Sequence, residues 1–356
     1  MKQPLKGRGA QQQPAPRYLS TARVPWLEDA EVPGAPLDPV PTQVGVDHAR
    51  SVISRNQSPD IPFTQSINPY RGCEHGCVYC YARPSHAWLD LSPGLDFETR
   101  LFYKHDAARR LEEALARPGY LPEPITLGAN TDPYQPIERE YRVTRDLLEV
   151  LHATRHPVSI ITKGTLILRD LDLLAEMATG NRVQVAVSLT TLDNDLKRRL
   201  EPRAASPAGR LRVMQALHEA RVPVAAMLAP VIPALNEAEL ERMLEAARDH
   251  GAERAGYILL RLPREVAPLF EDWLAVHYPE RARHVMSVLR QSRGGAVYDA
   301  RFGQRMRGTG PFAQLLERRF GAACRRLGLH RGRSRPLDGS AFRPPRRGPQ
   351  LDLALR

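Results

Sequence analysis

Three of the four cysteines, Cys73, Cys77 and Cys80, lie within eight residues of one another in the segment NPYRGCEHGCVYCYAR, spaced C-x3-C-x2-C. Cysteines this close cannot staple distant segments as disulfides, and four in a chain of 356 residues are too few for a disulfide scaffold. On one loop, with Gly72 and Gly76 relaxing the turn, three thiolates can point at a common centre. Three thiolates on a four-iron cube leave one iron without a protein ligand, open to a cofactor or substrate. The competing assignment is a structural zinc site completed by His75 or His86, although a closed zinc site usually shows two separated ligand pairs.

Other polar residues interrupt apolar runs. Thr131 and Asp132 end PITLGANTD, Lys163 ends VSIITKG, and Ser188 lies in VQVAVSLTT. A charge at such a place is costly without a partner of opposite sign. Each also has a plainer role: Asp132 capping the turn at Pro133, Lys163 snorkelling at a rim, and Ser188 satisfying backbone. Glu201, Arg203 and Arg210 either orient Lys163 or form a surface ion pair near a helix start. Tyr79 and Tyr81 flank Cys80 and serve either the site or the packing of its loop.

The elements that must position these residues alternate. PITLGANTD precedes a helix over 144–154, VSIITKG one over 169–178, VQVAVSLTT one over 206–220, VPVAAMLAP one over 237–250, and GYILLRLP one over 265–277. The strands are apolar along their length, as parallel strands covered on both faces would be. Ser206 before Pro207 reads as an N-cap, Asn236 with Glu239 as a capping box, and Gly180 and Gly251 as C′ residues. With FTQSINPY as a strand before Cys73 and a helix over 105–116, about six βα units result. The fold class is therefore α/β, a partial (β/α)6 TIM-like barrel spanning 46–262, with reactive groups at the C-terminal edge of its sheet.

Residues 1–45 are rich in Pro and Gln and read as a flexible arm. Residues 263–324 read as a helical and loop extension covering the barrel; Arg261 just before it, with Glu265 and RQSRGGAVYDARFGQRMRGTGPF, could cover the barrel mouth. Residues 325–356, with nine Arg against two Asp, read as a disordered basic tail. No apolar run reaches the roughly 18 residues needed to cross a bilayer, which places the protein in the cytoplasm, with no membrane partner and as a monomer. A net charge of +11 favours polyanionic partners. Cys324, in an amphipathic helix, reads as a buried, inert thiol.

C-x3-C-x2-C with an aromatic before the third cysteine resembles the signature of the radical SAM superfamily. GANTDPYQPIE, ITKGTLILRD, VSLTTLD and EPRAASPAGRL extend the resemblance, over about residues 60–260, to the spore photoproduct lyase-related branch. The resemblance implies a [4Fe–4S] cluster on Cys73, Cys77 and Cys80, and S-adenosylmethionine (SAM) chelating the open iron. One-electron cleavage of SAM would give methionine and a 5′-deoxyadenosyl radical, with the electron drawn from a flavodoxin- or ferredoxin-type reductant. It places Tyr79 against cluster and adenine, Thr131 and Asp132 at the SAM amino group, Lys163 at its carboxylate, Ser188 at its ribose or carboxylate, and Arg203 near its methionine end. In that branch a cysteine shortly before the Thr/Ser-Asp pair returns a hydrogen atom to the product radical. Gly128-Ala129-Asn130 has no thiol there, which argues against the same repair reaction; Tyr81 either relays hydrogen or packs beneath the cysteine loop. Three functions remain open: a radical SAM enzyme acting on nucleic acid, one acting on a peptide or small metabolite, and a non-catalytic zinc-loop module that binds nucleic acid.

Overall fold

Short β-branched runs become strands, and the amphipathic stretches that follow become helices. The computed structural model describes residues 7–18, 40–331 and 336–345. Its strands are β1 (Gln43–Val46), β2 (Ser54–Arg55), β3 (Gln65–Ile67), β4 (Tyr70–Arg71), β5 (Arg100–Tyr103), β6 (Ile125–Leu127), β7 (Val158–Thr162), β8 (Val183–Ser188), β9 (Val224–Val231), β10 (Arg254–Leu259) and β11 (His330–Arg331). Its helices are α1 (Asp96–Thr99), α2 (Ala107–Leu115), α3 (Glu138–Tyr141), α4 (Val143–Ala153), α5 (Leu171–Thr179), α6 (Asn194–Leu200), α7 (Pro207–Glu219), α8 (Leu240–Asp249), α9 (Val266–His277), α10 (Pro279–Gln291) and α11 (Gly310–Leu327).

Strands β3, β6, β7, β8, β9 and β10 pair in that order and in parallel, the six units of a partial barrel. At one edge β11 joins β10 in parallel, and at the other β2 joins β3 antiparallel. Among the described residues these two edges do not pair, so the sheet stays open. The segment before α11 spans the gap. The Leu259 amide at the end of β10 donates to Met306 O at 2.9 Å, while Gly303 N and Arg305 Nε reach the Asp60 carboxylate, ahead of β3, at 2.7 and 2.8 Å.

The expectation of strands covered on both faces is corrected. Val183, Val185 and Val187 of β8 are buried while Gln184 and Ala186 are only half-buried, and β7 and β9 alternate in the same way. Outward-facing residues pack with Leu147, Leu151, Leu174, Met177, Val213 and Leu244 of the helices in one apolar core. The inner face carries Ser159, Gln184, Ala186 and Ala225 together with Ile161 and Met227, and is less covered because the barrel does not close.

Several local expectations change. FTQSINPY is not one strand: Pro69 lacks an amide proton, and the chain leaves the main sheet there to form β4 in a small sheet with β5 and β1. Ser206 caps α7 as expected, its hydroxyl accepting from Gly209 N at 3.1 Å. Asn236 forms no capping box. Its side chain is buried, accepts from Ile232 N at 2.6 Å and donates to Thr190 O and Pro230 O, tying β9 to the loop after β8. Gly251 takes the left-handed conformation after α8, but after α5 it is Asn181 that does so rather than Gly180.

The two terminal expectations are also corrected where the structure describes them. Residues 7–17 are not a loose arm, because buried polar groups of the cysteine loop take up their backbone and Arg8. The basic tail begins inside α11, continues into β11, and residues 336–345 pack back on the barrel: Arg343 N donates to Thr154 O, and the Phe342 ring meets Tyr120 and His156. Residues 1–6 and 19–39 of the arm and 332–335 and 346–356 of the tail lie outside the described residues. No described helix is long and apolar enough to cross a membrane.

Candidate metal centre

The cysteine loop leaves β4 at Gly72, whose φ of +74° an L residue adopts only under strain. A Cβ at Gly72 would also lie 2.5 Å from Leu101 Cδ2 and 2.9 Å from Phe97 O. Gly76 has φ +66°, and a Cβ there would meet the Glu98 carboxylate at 2.8 Å. The backbone of the loop is held from all sides. Cys73 N donates to Phe97 O (2.9 Å), Glu74 N to Gln135 Oε1 (2.9 Å), and Val78 N to Leu200 O (3.1 Å), while Gln135 Nε2 donates back to Gly72 O. Arg83, fully buried, donates to Cys77 O and to the carbonyls of Pro93 and Gly94, and pairs with the fully buried Glu98. Val78 and Tyr79 pack against Leu196, Leu200, Phe270 and Trp273. Burying Val78 alone contributes about 2 kcal/mol.

Cys73 and Cys77 are buried, and Cys80 is half-buried. Burial first, then the other thiols and Asp132, pushes the Cys73 thiol well up; burial and Glu201 raise Cys77, and burial raises Cys80. A bound cation such as iron would favour the thiolate form of all three, so the donor set fits an iron–sulfur cluster. The two histidines of the zinc alternative each have a ring nitrogen facing another group. His75 Nδ1 faces Asp132 Oδ2 at 3.4 Å, and His86 Nε2 contacts Arg100 O at 2.9 Å. Among the described residues, no three His, Cys, Asp or Glu side chains converge on a single-ion site.

Lys163, Ser188, Glu201, Arg210 and Tyr79 form one network at the strand ends. Lys163 Nζ donates to Ser188 Oγ at 2.5 Å and lies 3.9 Å from Glu201 Oε1, and its charge favours the thiolates of Cys77 and Cys80. Glu201 is fully buried, pairs with Arg210, and accepts from Tyr79 OH and from Thr190 Oγ1 at 2.7 Å. Burial alone would raise its pKa, but Arg210 and Lys163 outweigh burial and hold it at about 2. The surface-ion-pair alternative for Glu201 and Arg210 thus fails, because both are buried.

Other expected ligand-binding residues serve the loop instead. Asp132 accepts from Tyr134 N (2.9 Å), Thr162 Oγ1 (2.7 Å) and Lys163 N (2.7 Å) and faces His75, so its acceptor positions are filled by protein donors. These contacts give Asp132 the turn-capping role. Thr131 Oγ1 donates to Tyr70 O at 2.7 Å, joining the same scaffold. Arg203 pairs with Glu74 at 2.9 Å and does not reach Lys163's partners; its amide donates to His75 O. Tyr81 is 45% exposed, its hydroxyl donates to Ala129 O, and the Arg261 guanidinium lies 5.3 Å from its ring and 6.0 Å from that of Tyr298.

The residues missed from sequence are the loop's supports. Gln135 and Glu138 lie in GANTDPYQPIE, and Arg169 and Asp170 in ITKGTLILRD. Glu138 accepts from Tyr70 OH, from Thr144 N at 2.9 Å and from Arg169 at 2.6 Å, tying β4 to the turn after β7. Those motifs carried the signal. Glu98 and Arg8 had none, since neither belongs to a periodic or recognisable pattern.

The chain is similar to several known proteins. Residues 67–247 match the sequence profile of the radical SAM superfamily. An uncharacterised protein of Mycobacterium tuberculosis is 39% identical over 233 residues, 65% of this chain and 68% of that protein. An uncharacterised protein of Methanocaldococcus jannaschii is 28% identical over 173 residues, 49% of this chain and 62% of that one. Spore photoproduct lyase, in a structure complexed with dinucleoside spore photoproduct, shares the fold with a TM-score of 0.57 at 16% identity, over 81% of this chain and 80% of that one.

Proposed function

The chain belongs to the radical SAM superfamily, and from that premise we propose that Cys73, Cys77 and Cys80 hold a [4Fe–4S] cluster at which SAM binds and is reductively cleaved. When bound, the cluster supplies the electron that breaks the S–C5′ bond of SAM. The observation that carries this reading is that Cys73, Cys77 and Cys80 share one loop held by protein groups, with Lys163, a half-buried cation fixed by Ser188 and Glu201, beside Cys77 and Cys80. Lys163 pairs with the SAM carboxylate, Ser188 holds Lys163 in place, and Tyr79, its hydroxyl fixed by Glu201, presents its ring beside the cofactor. The electron comes from a flavodoxin- or ferredoxin-type protein.

The substrate that gives up hydrogen is a nucleic-acid strand. Tyr81, Tyr298 and the exposed Trp88, one face of which stacks on Tyr18, supply aromatic surface, and Arg261 and Arg264 supply charge beside them. Anaerobically reconstituted protein is expected to be brown and, with dithionite and SAM, to release 5′-deoxyadenosine. Deuterated oligonucleotide should pass deuterium into that product. Label arriving only from a deuterated peptide or metabolite would exclude nucleic acid, and a colourless protein carrying one zinc per chain would sink the whole reading.

Tyr81 gives its phenolic hydrogen atom to the substrate radical, and the tyrosyl radical left behind takes an electron from the flavodoxin- or ferredoxin-type reductant and a proton from solvent. Its hydroxyl rests on the carbonyl of Ala129, the stretch in which no thiol stands. Tyr81→Phe is expected to keep its iron and most of its 5′-deoxyadenosine release while the yield of quenched substrate product collapses. Equal product yield in the variant and the parent would remove Tyr81 from the reaction.

A further inference from the structure

The segment 7–17 has the composition of a loose arm, yet it lies against the cysteine loop. Gly9 N and Ala10 N donate to the two carboxylate oxygens of Glu98 at 2.9 and 2.8 Å, and Glu98 in turn holds Arg83, whose Nε donates to Cys77 O. The approach is backbone to backbone. A Cβ at Gly9 would stand 1.8 Å from Gly76 O and 3.2 Å from Val78 N, so no other residue fits there without displacing the segment.

The rest of the segment is pinned at intervals. Arg8, buried, donates to Glu98 O at 3.0 Å, to Val40 O at 2.6 Å and to Thr42 Oγ1 at 3.2 Å, and Thr42 donates to Glu74, the residue after Cys73. Gln13 Oε1 accepts from Leu95 N, and Ser92 Oγ donates to Pro14 O at 2.6 Å. At the far end Arg17 donates to Pro84 O at 3.0 Å and pairs with Glu265 at the start of α9. Its contacts thus include the middle of the cysteine loop at Gly76 and Val78, the supporting Glu98 of α1, and Pro84 just after the loop.

We propose that residues 7–17 form a strap that positions the cysteine loop and seals it, so that the cluster is retained and shielded from oxygen. The inference rests on the cluster assignment above. Contacts one shell out from metal ligands govern how firmly the metal is kept, and here that shell is closed by a segment remote in sequence. Gly9 and Ala10 are positioning residues that act through Glu98 and Arg83.

The test compares full-length protein with Gly9→Val and Arg17→Ala, each reconstituted anaerobically. It reads iron per chain, the electron paramagnetic resonance signal of the reduced cluster, the rate at which visible absorbance bleaches in air, and the near-ultraviolet circular dichroism of the iron-free form. Gly9→Val is expected to bleach about tenfold faster or more and to alter the resonance signal, with the iron-free spectrum unchanged. Arg17→Ala removes only the half-buried end anchor and so keeps the test decisive if Gly9→Val does not fold; its bleaching should quicken roughly threefold, the effect of one weak ion pair. Parent-like bleaching in a folded Gly9→Val, or in Arg17→Ala when Gly9→Val is unfolded, overturns the strap. A colourless parent protein instead overturns the cluster assignment, before any variant is compared.

Discussion

Replacing Cys73, Cys77 or Cys80 singly by alanine is expected to leave a folded protein that retains little iron after reconstitution and cleaves SAM at least about a thousandfold more slowly, ~4 kcal/mol of barrier. The fold should survive because protein groups hold the loop. Gln135 brackets it from Gly72 to Glu74, Arg83 and Glu98 lock Cys77 O, and Leu200 O takes Val78 N. A small zinc module, by contrast, loses its structure with its ligands. The control is Cys324→Ala. That thiol is buried in α11 beside Leu316 and Phe320, so the variant should lose some stability while keeping its iron and cleavage rate. Measuring iron, visible absorbance and 5′-deoxyadenosine across the four variants separates ligand loss from general damage. A brown, active Cys73→Ala would refute the ligand assignment.

The sequence made the cysteine loop and the parallel strands legible for different reasons. Cysteine spacing is a local property, and Gly72 and Gly76 mark the two points where the loop needs positive φ. The βα alternation is also local, so the strand order from β3 to β10 follows from it. What could not be read is what distant segments do for one another. Asp132 at a strand end is the right residue type for an ammonium partner, but Thr162 and the Lys163 amide on the next strand claim its oxygens. Asn236 has a capping residue's identity, but its amide is drawn into the interior by Thr190 O and Pro230 O. The arm escaped for the same reason: its few apolar residues give no periodicity, and its order comes from a buried Glu98 some ninety positions later that needs donors.

Glu201→Ala carries the largest expected loss of stability, because it strands two cations. Arg210 is 2% exposed and Lys163 is half-buried, and Glu201 is the carboxylate that both face. Removing one partner of a buried pair typically costs about 3–5 kcal/mol. The depression of the Glu201 pKa from 4.5 to about 2 gives a similar figure, about 3 kcal/mol. The sign follows from that depression: a carboxyl whose folded pKa lies below its unfolded value stabilises the fold above about pH 4.5, and the contribution is lost as pH falls toward 2. Glu201→Gln keeps the size of the side chain and hydrogen-bonding atoms for Tyr79 and Thr190 but not the charge. Wild type should therefore exceed Glu201→Gln in denaturant stability at neutral pH, and the gap should close as the solution is acidified. A gap independent of pH down to about 2.5 would mean that Glu201 holds no ion pair. Freed of its carboxylate, Lys163 would also leave Ser188, so Glu201→Ala is expected to weaken SAM binding even where the protein remains folded, which SAM titration of the reconstituted variant reads directly.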